Sequence, residues 1–432
     1  MADRDCDIAL VGGGLSGGLI ALALAQRRPD LRVALVEAGD RPGGNHRWSW
    51  FESDLTSSGA KLLESFRITR WGRGYDVCFP GVSRHLATRY RSLASTDFAE
   101  GLERLLSKGT IRCSADVQAL DRDGITLAGG ERITASAVID CRGFEPGPHL
   151  SGGWQVFLGR HLRTETPHGI EHPVIMDADV DQIGGYRFVY VLPLGPSEIF
   201  IEDTYYQDAP TLDRETLAAR IDAYCQDNGW TGEIVGTESG VLPVITGGDF
   251  AAFQNRQRIE GVGIAGARGG FVHPLTSYTL PFAVETALAI AEAKALSGPE
   301  LAILLEQRAR DHWRSTRFYR KLGAMLFRAA RPEDRWQIFD RFYRLDQRLI
   351  ERFYAARSTR ADKARILCGR PPVPVHRAVQ AILPGTGRGT MRSMVEGHPP
   401  PITSTRGQDN PPVPLHPRPA AGGPPPRSGE DL

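Results

Sequence analysis

No Cys-x-x-Cys pair occurs in this chain of 432 residues, and none of its six cysteines, at 6, 78, 113, 141, 225 and 368, has a histidine at metal-ligand spacing. Neither disulfides nor a bound metal are therefore expected, and the pattern fits a reducing compartment. An excess of one charge is also missing, since 52 Lys and Arg face 51 Asp and Glu. Without a global basic field, nucleic acid is not an expected partner. Long apolar runs are scarce: only residues 8–26 are free of charge over nineteen positions. That length could span a membrane or serve as a secretory core, but five glycines crowd into positions 12–18, the flank before them is acidic, and no small-residue cleavage site follows. The expected location is cytoplasmic, at most peripheral to the inner membrane.

The same run carries the strongest signal. Ile8-Ala9-Leu10-Val11 reads as a strand, Gly12-Gly13-Gly14-Leu15-Ser16-Gly17 follows, and Leu19 to Ala25 reads as a helix. Glycine at 12 permits the tight turn, at 14 lets backbone approach a pyrophosphate, and at 17 lets helix lie close on strand. A second strand, Arg32 to Val36, ends at Glu37, twenty residues after Gly17, where a carboxylate can accept hydrogen bonds from a ribose. A dinucleotide site is the reading that explains both. Gly43 and Gly44 offer a second close approach of backbone, in a loop that runs on through three aromatics to Phe51.

Further along, Asp97 and Glu100 have the spacing of a capping box for a helix to about Leu106. Ile111 to Ala119, Ile125 to Leu127 and Ile133 to Ile139 read as a meander, the last strand running into Asp140-Cys141-Arg142-Gly143. Residues 185–194 and 198–204 read as paired antiparallel strands. A third glycine-ended strand, Gly261 to Gly266, precedes an alanine-rich helix to about Leu296. From Leu301 to Phe353, helices rich in aromatics carry thirteen Arg or Lys against seven acids, which suits either anionic headgroups or a solvated basic face. Beyond Leu383, 20 of 49 residues are Pro or Gly, a disordered composition with Pro411-Pro412-Val413-Pro414 inside it.

Several separate motifs make the chain resemble the bacterial lycopene β-cyclases over about residues 5–383. They are Gly12 to Gly18, Gly43-Gly44-Asn45-His46 with Trp48-Ser49, and Val138-Ile139-Asp140 with Arg142-Gly143. Ile175-Met176-Asp177-Ala178, Val180-Asp181-Gln182, Gly185 to Tyr190, Leu192-Pro193-Leu194, Ile201-Glu202-Asp203-Thr204, Phe271 to Pro281 and Pro371 to Val375 complete the set. One motif departs: His-Pro-x-Thr-Gly-Tyr-Ser in the family is His273-Pro274-Leu275-Thr276-Ser277-Tyr278-Thr279 here. Ser277 lacks a glycine's freedom, so positive φ is not expected there.

The resemblance implies an α/β protein: a Rossmann-type FAD-binding fold with an inserted antiparallel substrate sheet and C-terminal helices. The domains would be 1–150 and 256–300 for FAD, 151–255 for substrate, 301–383 for a helical region in possible membrane contact, and 384–432 for the tail. Gly12, Gly13, Gly14, Gly17, Glu37, Gly43, Gly44, Gly143 and Gly266 would hold the cofactor. The implied reaction is redox-neutral: a proton adds to the end of lycopene or another acyclic carotene, the cation is attacked internally, and a proton leaves. Reduced FAD, with NAD(P)H as reductant, would stabilise the cation electrostatically.

The family's essential glutamate falls on Glu202. On a strand, Phe200, Glu202 and Thr204 share one face and Ile199, Ile201 and Asp203 the other, so only one of the adjacent carboxylates can enter a given cavity. Burial would keep Glu202 protonated, as a donor must be. Asp177 is the expected second carboxylate near the pocket, with Asp181 next. Trp48, Trp50, Phe51 and Tyr186 are candidates for cation–π stabilisation. His273 is expected to satisfy backbone groups rather than a flavin carbonyl, and Arg187 to pair with an acid. Two other readings stay open: an FAD/NAD(P)H-dependent monooxygenase or reductase acting on an apolar isoprenoid, and a carotenoid carrier.

Overall fold

A computed structural model of the chain describes residues 4–368. The motif at 371–375, the Pro-rich 411–414 and the whole 384–432 segment lie outside the described residues. Three sheets organise the rest. In the first, Ile111–Arg112, Val33–Val36, Cys6–Val11 and Arg132–Asp140 run in parallel, and Val262–Ile264 adds parallel to Arg132–Asp140. The continuous apolar run at 8–11 is what a strand covered on both faces requires, and all four residues are buried. The helices Leu15–Arg27 and Leu280–Ala291 pack together on this sheet, joined in one core by Leu19, Leu22, Ala283 and Ala287. The meander of Val117–Asp121, Gly124–Leu127 and Arg132–Asp140 extends its edge.

The second sheet is ordered Gly232–Gly248, Leu150–Thr164, Glu198–Gln207, Tyr186–Gly195, Val174–Asp177, Tyr75–Phe79, Val82–Leu86. Its last two strands come from well before residue 151, so the sheet expected within 151–255 is completed by an earlier hairpin. One face carries Val189, Val191, Ile199 and Ile201 under the helix Arg214–Asp227. The other faces the C-terminal helices through Phe188, Phe200, Tyr206, Leu326 and Phe339.

Three local readings change. Arg47–Phe51 is a strand, paired antiparallel with Tyr90–Ala94, rather than part of a loop. The helix from Ser95 to Leu105 is capped by Ala94 without a side-chain bond, so Asp97 sits in its first turn and forms no capping box. The stretch 111–119 breaks at Ser114, whose φ is +52°, leaving Ile111–Arg112 in the parallel sheet and starting the meander only at Val117. No helix among the described residues is long and apolar enough to cross a membrane.

Candidate active site

The glycine fingerprint forms a cleft of about 380 Å³ lined by Gly12, Gly14, Glu37, Gly43, Gly44, Gly143 and Gly266. Gly12 has φ +100°, and a side chain on it would press on the Arg142 backbone at 3.0 Å. Gly17 lies behind the cleft, where an added Cβ would stand 2.1 Å from the Gly12 carbonyl oxygen. Gly13 donates its N–H to Glu37 at 2.6 Å, and Gly39 donates to the same carboxylate at 2.8 Å. Glu37 is thereby held in the cleft wall with its face toward the cavity. No side chain caps the helix at Gly14, and nothing lies within 4 Å of where a Cβ on Gly14 would be. The first N–H groups of that helix therefore open onto space that a pyrophosphate fits, so these residues suit a dinucleotide.

A second cavity, of about 210 Å³, meets the first at His46, Trp48 and Thr279, which line both. It is bounded by the second sheet through Phe157, Tyr190 and Phe200, and by Tyr90 and Tyr278. Glu202 projects into it, as the alternation of its strand requires, and is only 9% exposed. The Thr204 hydroxyl donates to its carboxylate at 2.7 Å. Burial raises the Glu202 carboxyl to about 7, against bonds from Thr204 and Glu238 that favour ionisation. Burial thus disfavours the ionised form, so near neutral pH the group keeps a proton far more readily than a carboxyl in water does.

Glu238 was not singled out by the sequence. It stands on the long strand Gly232–Gly248 in a run, Thr237-Glu238-Ser239, that looks solvent-facing. Register reveals it: Gly159 on the intervening strand is directly opposite both Glu202 and Glu238. Strands two apart are separated by about 9–10 Å, too far for short side chains to meet but within reach of two glutamates leaning together. Gly159 supplies the room, because a Cβ there would lie 2.3 Å from the Phe200 ring and 3.1 Å from Glu238 Cγ. Glu238 is 8% exposed, and its carboxyl is raised by burial and by the Glu202 charge, with Arg47 opposing. Two carboxyl groups so placed cannot both ionise easily, and they titrate as a unit.

Asp177 does not join them. It is opposite Val189, which is opposite Asp203, so it lies on the face of the sheet away from Glu202. There it accepts from the Tyr224 hydroxyl at 2.6 Å and from the Asp179 N–H at 3.1 Å. A register shift between Val174 and Asp177 hides this placement from simple alternation. Asp181 is exposed. Of the four aromatic candidates, only Trp48 lines the cavity. Trp50 and Phe51 are buried in the two main cores, and Tyr186 stacks on Phe339 at 4.3 Å.

Arg187 clamps Asp203 on the outer face, with contacts of 2.9–3.1 Å. His273 is fully buried and bound to backbone, its Nε2 near the Phe353 carbonyl at 3.1 Å and its Nδ1 accepting from Leu275 and Thr276. Burial holds it down to about 3, hence neutral. Ser277 takes φ +58° despite its side chain, and its hydroxyl donates to the Pro243 carbonyl at 2.9 Å. The turn is therefore kept by serine, with a hydrogen bond that offsets the cost of left-handed backbone.

A family model described as lycopene cyclase protein matches residues 7–380. The chain belongs to the lycopene cyclase family. It is 44% identical to the lycopene beta-cyclase of Pseudescherichia vulneris over 87% of this chain and 97% of that one, and 43% identical to that of a Paracoccus species over the same shares. The chloroplastic lycopene beta cyclase of Arabidopsis thaliana is 24% identical, over 66% of this chain and 60% of its own. Among solved structures, the halogenase PltM in complex with FAD aligns with a TM-score of 0.56 at 13% identity, covering 88% of this chain and 95% of that one. A probable FAD-dependent monooxygenase from Pseudomonas aeruginosa, pqsL, aligns at 0.52 with 16% identity, covering 78% and 99%. These likenesses identify the fold of this lycopene cyclase family member as that of the Rossmann-type flavoproteins.

Proposed function

We propose that this carotenoid cyclase, a lycopene β-cyclase, closes its rings by proton transfer from Glu202, with Glu238 as the carboxyl that shares and recovers the proton. The observation that carries this reading is a carboxyl buried beside a second carboxyl in an aromatic cavity that meets a dinucleotide cleft at Trp48 and Thr279, with burial favouring its protonated form. Glu202 gives its proton to the terminal double bond of the acyclic carotene. The next double bond attacks the resulting cation, and the ring carbon beside the new cation loses a proton to the carboxylate pair. Bonds and charges then balance, no electron is transferred, and the pair ends in its starting protonation state. The same step at each end converts lycopene through γ-carotene to β-carotene.

Gly12, Gly14, Glu37, Gly43, Gly44, Gly143 and Gly266 line the cleft assigned to FAD, while Gly13, bonded to Glu37, and Gly17, packed on the Gly12 carbonyl, shape its turn from behind rather than line it. FAD, when bound and reduced by NAD(P)H, supplies an electron-rich ring whose charge favours the cation. Trp48 and the tyrosines lining the Glu202 cavity exclude water, which would otherwise capture the cation as an alcohol. Residues 1–150 and 256–300 serve mainly the cofactor, 151–255 the substrate together with the hairpin at 75–86 and with Trp48, Tyr90 and Tyr278, and 301–383 the membrane surface on which a hydrocarbon substrate must be met. The enzyme on this reading is cytoplasmic and peripheral to the inner membrane.

Anaerobic incubation of the flavin-loaded protein with lycopene in liposomes tests the reading. Catalytic NAD(P)H should support many turnovers to γ- and β-carotene. Consumption of one nicotinamide or one O2 per product would point instead to a reductase or monooxygenase.

A further inference from the structure

An open cleft of about 960 Å³, sharing no lining residue with the Glu202 cavity, has no role in the reaction. It is walled by the helices Phe250–Gln257, Gly298–Ser315 and Arg317–Arg328. Six cations line it: Arg258, Arg310, Arg314, Arg317, Arg320 and Lys321. Only two carboxylates do, and both are occupied. Asp249 caps its own helix by accepting from Ala252, while Glu306 is shared by Arg258 and Arg310. Arg314 has Asp311 at 3.3 Å. Among the described residues, no carboxylate forms an ion pair with Arg317, Arg320 or Lys321.

Arg320 is the centre of this excess. It is 5% exposed, yet among the described residues only one acceptor meets its five N–H donors, the Thr316 hydroxyl at 2.8 Å. Its guanidinium lies 3.5 Å over the Trp313 ring, which in turn stacks on Phe250 at 4.6 Å and 8°. The aromatic pair thus holds a flat cation in the wall of the cleft. Its remaining nitrogens are not sealed from solvent, so the cation is open to an anion that enters the cleft. Planar guanidinium donors match the oxygens of a phosphate.

We infer that this cleft is a seat for the phosphate of an anionic phospholipid headgroup, which anchors the protein where its hydrocarbon substrate resides. The inference rests on the cyclase reading for its choice of occupant. The helix Arg317–Arg328 carries the argument. Arg317, Arg320 and Lys321 form one stripe of it, and Leu322, Met325 and Leu326 form the adjoining stripe, which lines an apolar cavity of about 110 Å³. Thr276 belongs to that cavity and to the Glu202 cavity as well. One helix therefore carries cations along the cleft and, on its inward side, apolar residues that line a space meeting the Glu202 cavity at Thr276, so a headgroup held at the cleft would set the protein's apolar interior close to the bilayer.

The test uses the full flavin-loaded chain and reads sedimentation with vesicles, which requires no turnover. The protein should bind vesicles of phosphatidylcholine plus phosphatidylglycerol at least roughly tenfold better than phosphatidylcholine alone. The double variant Arg317→Glu, Lys321→Glu, altered at accessible ends of the stripe, should lose that preference. The control variant Arg67→Glu, Arg73→Glu, both exposed and remote in sequence, should keep it. Equal loss in both variants, or no preference in the unaltered protein, overturns the inference. So does saturation by inorganic phosphate, read by Trp313 fluorescence against a Trp313→Phe background, without any binding to anionic vesicles; that result assigns the cleft to a soluble phosphate. Because cyclisation is not measured, the cyclase reading can fail while the headgroup seat stands, and the reverse.

Discussion

Glu202 and Asp203 are neighbours on one strand and both are buried, yet they live in different chemical worlds. Asp203 is fully enclosed and clamped by Arg187, beneath the helix Arg214–Asp227. Glu202, on the opposite face, has a hydroxyl and another carboxyl for company and no cation bonded to it. Burial alone therefore does not make an acid catalyst. What matters is whether a cation meets the charged form: Arg187 bonds the carboxylate of Asp203 and opposes the rise that burial causes, whereas Glu202 has only neutral donors to set against its burial.

Substitution should separate the two carboxylates cleanly. Glu202→Gln is expected to lower cyclisation by at least about 10³-fold while the protein still binds FAD and lycopene, since removal of a positioned acid costs about this much. Product analysis beside flavin absorbance decides it, and near-normal rates would remove Glu202 from the donor's role. Asp203→Asn should act on the fold instead, costing about 3–5 kcal/mol because Arg187 is left buried without its partner. Thermal or urea unfolding reads that loss.

Glu238→Gln comes next in size, with cyclisation slowed about 10²-fold, since the amide can still bond to Glu202 but cannot recover a proton. In the unaltered protein the rate should fall as pH rises through about 7. The raised carboxyl is protonated below that value and loses its donor form above it, so activity is present on the acid side. A flat profile from pH 6 to 8 would separate the rate from this pair. Ser277→Gly is the smallest change: relief of left-handed strain and loss of the bond to Pro243 oppose each other, and stability should move by no more than about 1 kcal/mol.

The contrast also explains what could be read from the chain alone. The dinucleotide cleft is made of backbone, and its glycines lie in short contiguous runs, so Gly12 to Gly17 and Glu37 announce it. Alternation along one strand was enough to divide Phe200 and Glu202 from Ile199, Ile201 and Asp203. Glu238 was not legible, because its meeting with Glu202 depends on the register of three strands and on a missing side chain at Gly159. Asp177 misled for the related reason that an irregular register turns it toward Tyr224. The strand at 47–51 was obscured by the Gly43-Gly44 pair before it, although its partner at 90–94 fixes it in the fold.

Each chain has one Glu202, whereas lycopene has two identical ends. On the proposed mechanism the first end to enter comes out as a ring, and the opposite end cannot be served until the molecule withdraws, turns about and is threaded afresh. Half-finished product therefore mingles with the pool of starting material between visits. How much of it survives depends on how often the membrane brings the same molecule back, so the ratio of one-ringed to two-ringed carotene measures traffic as well as chemistry.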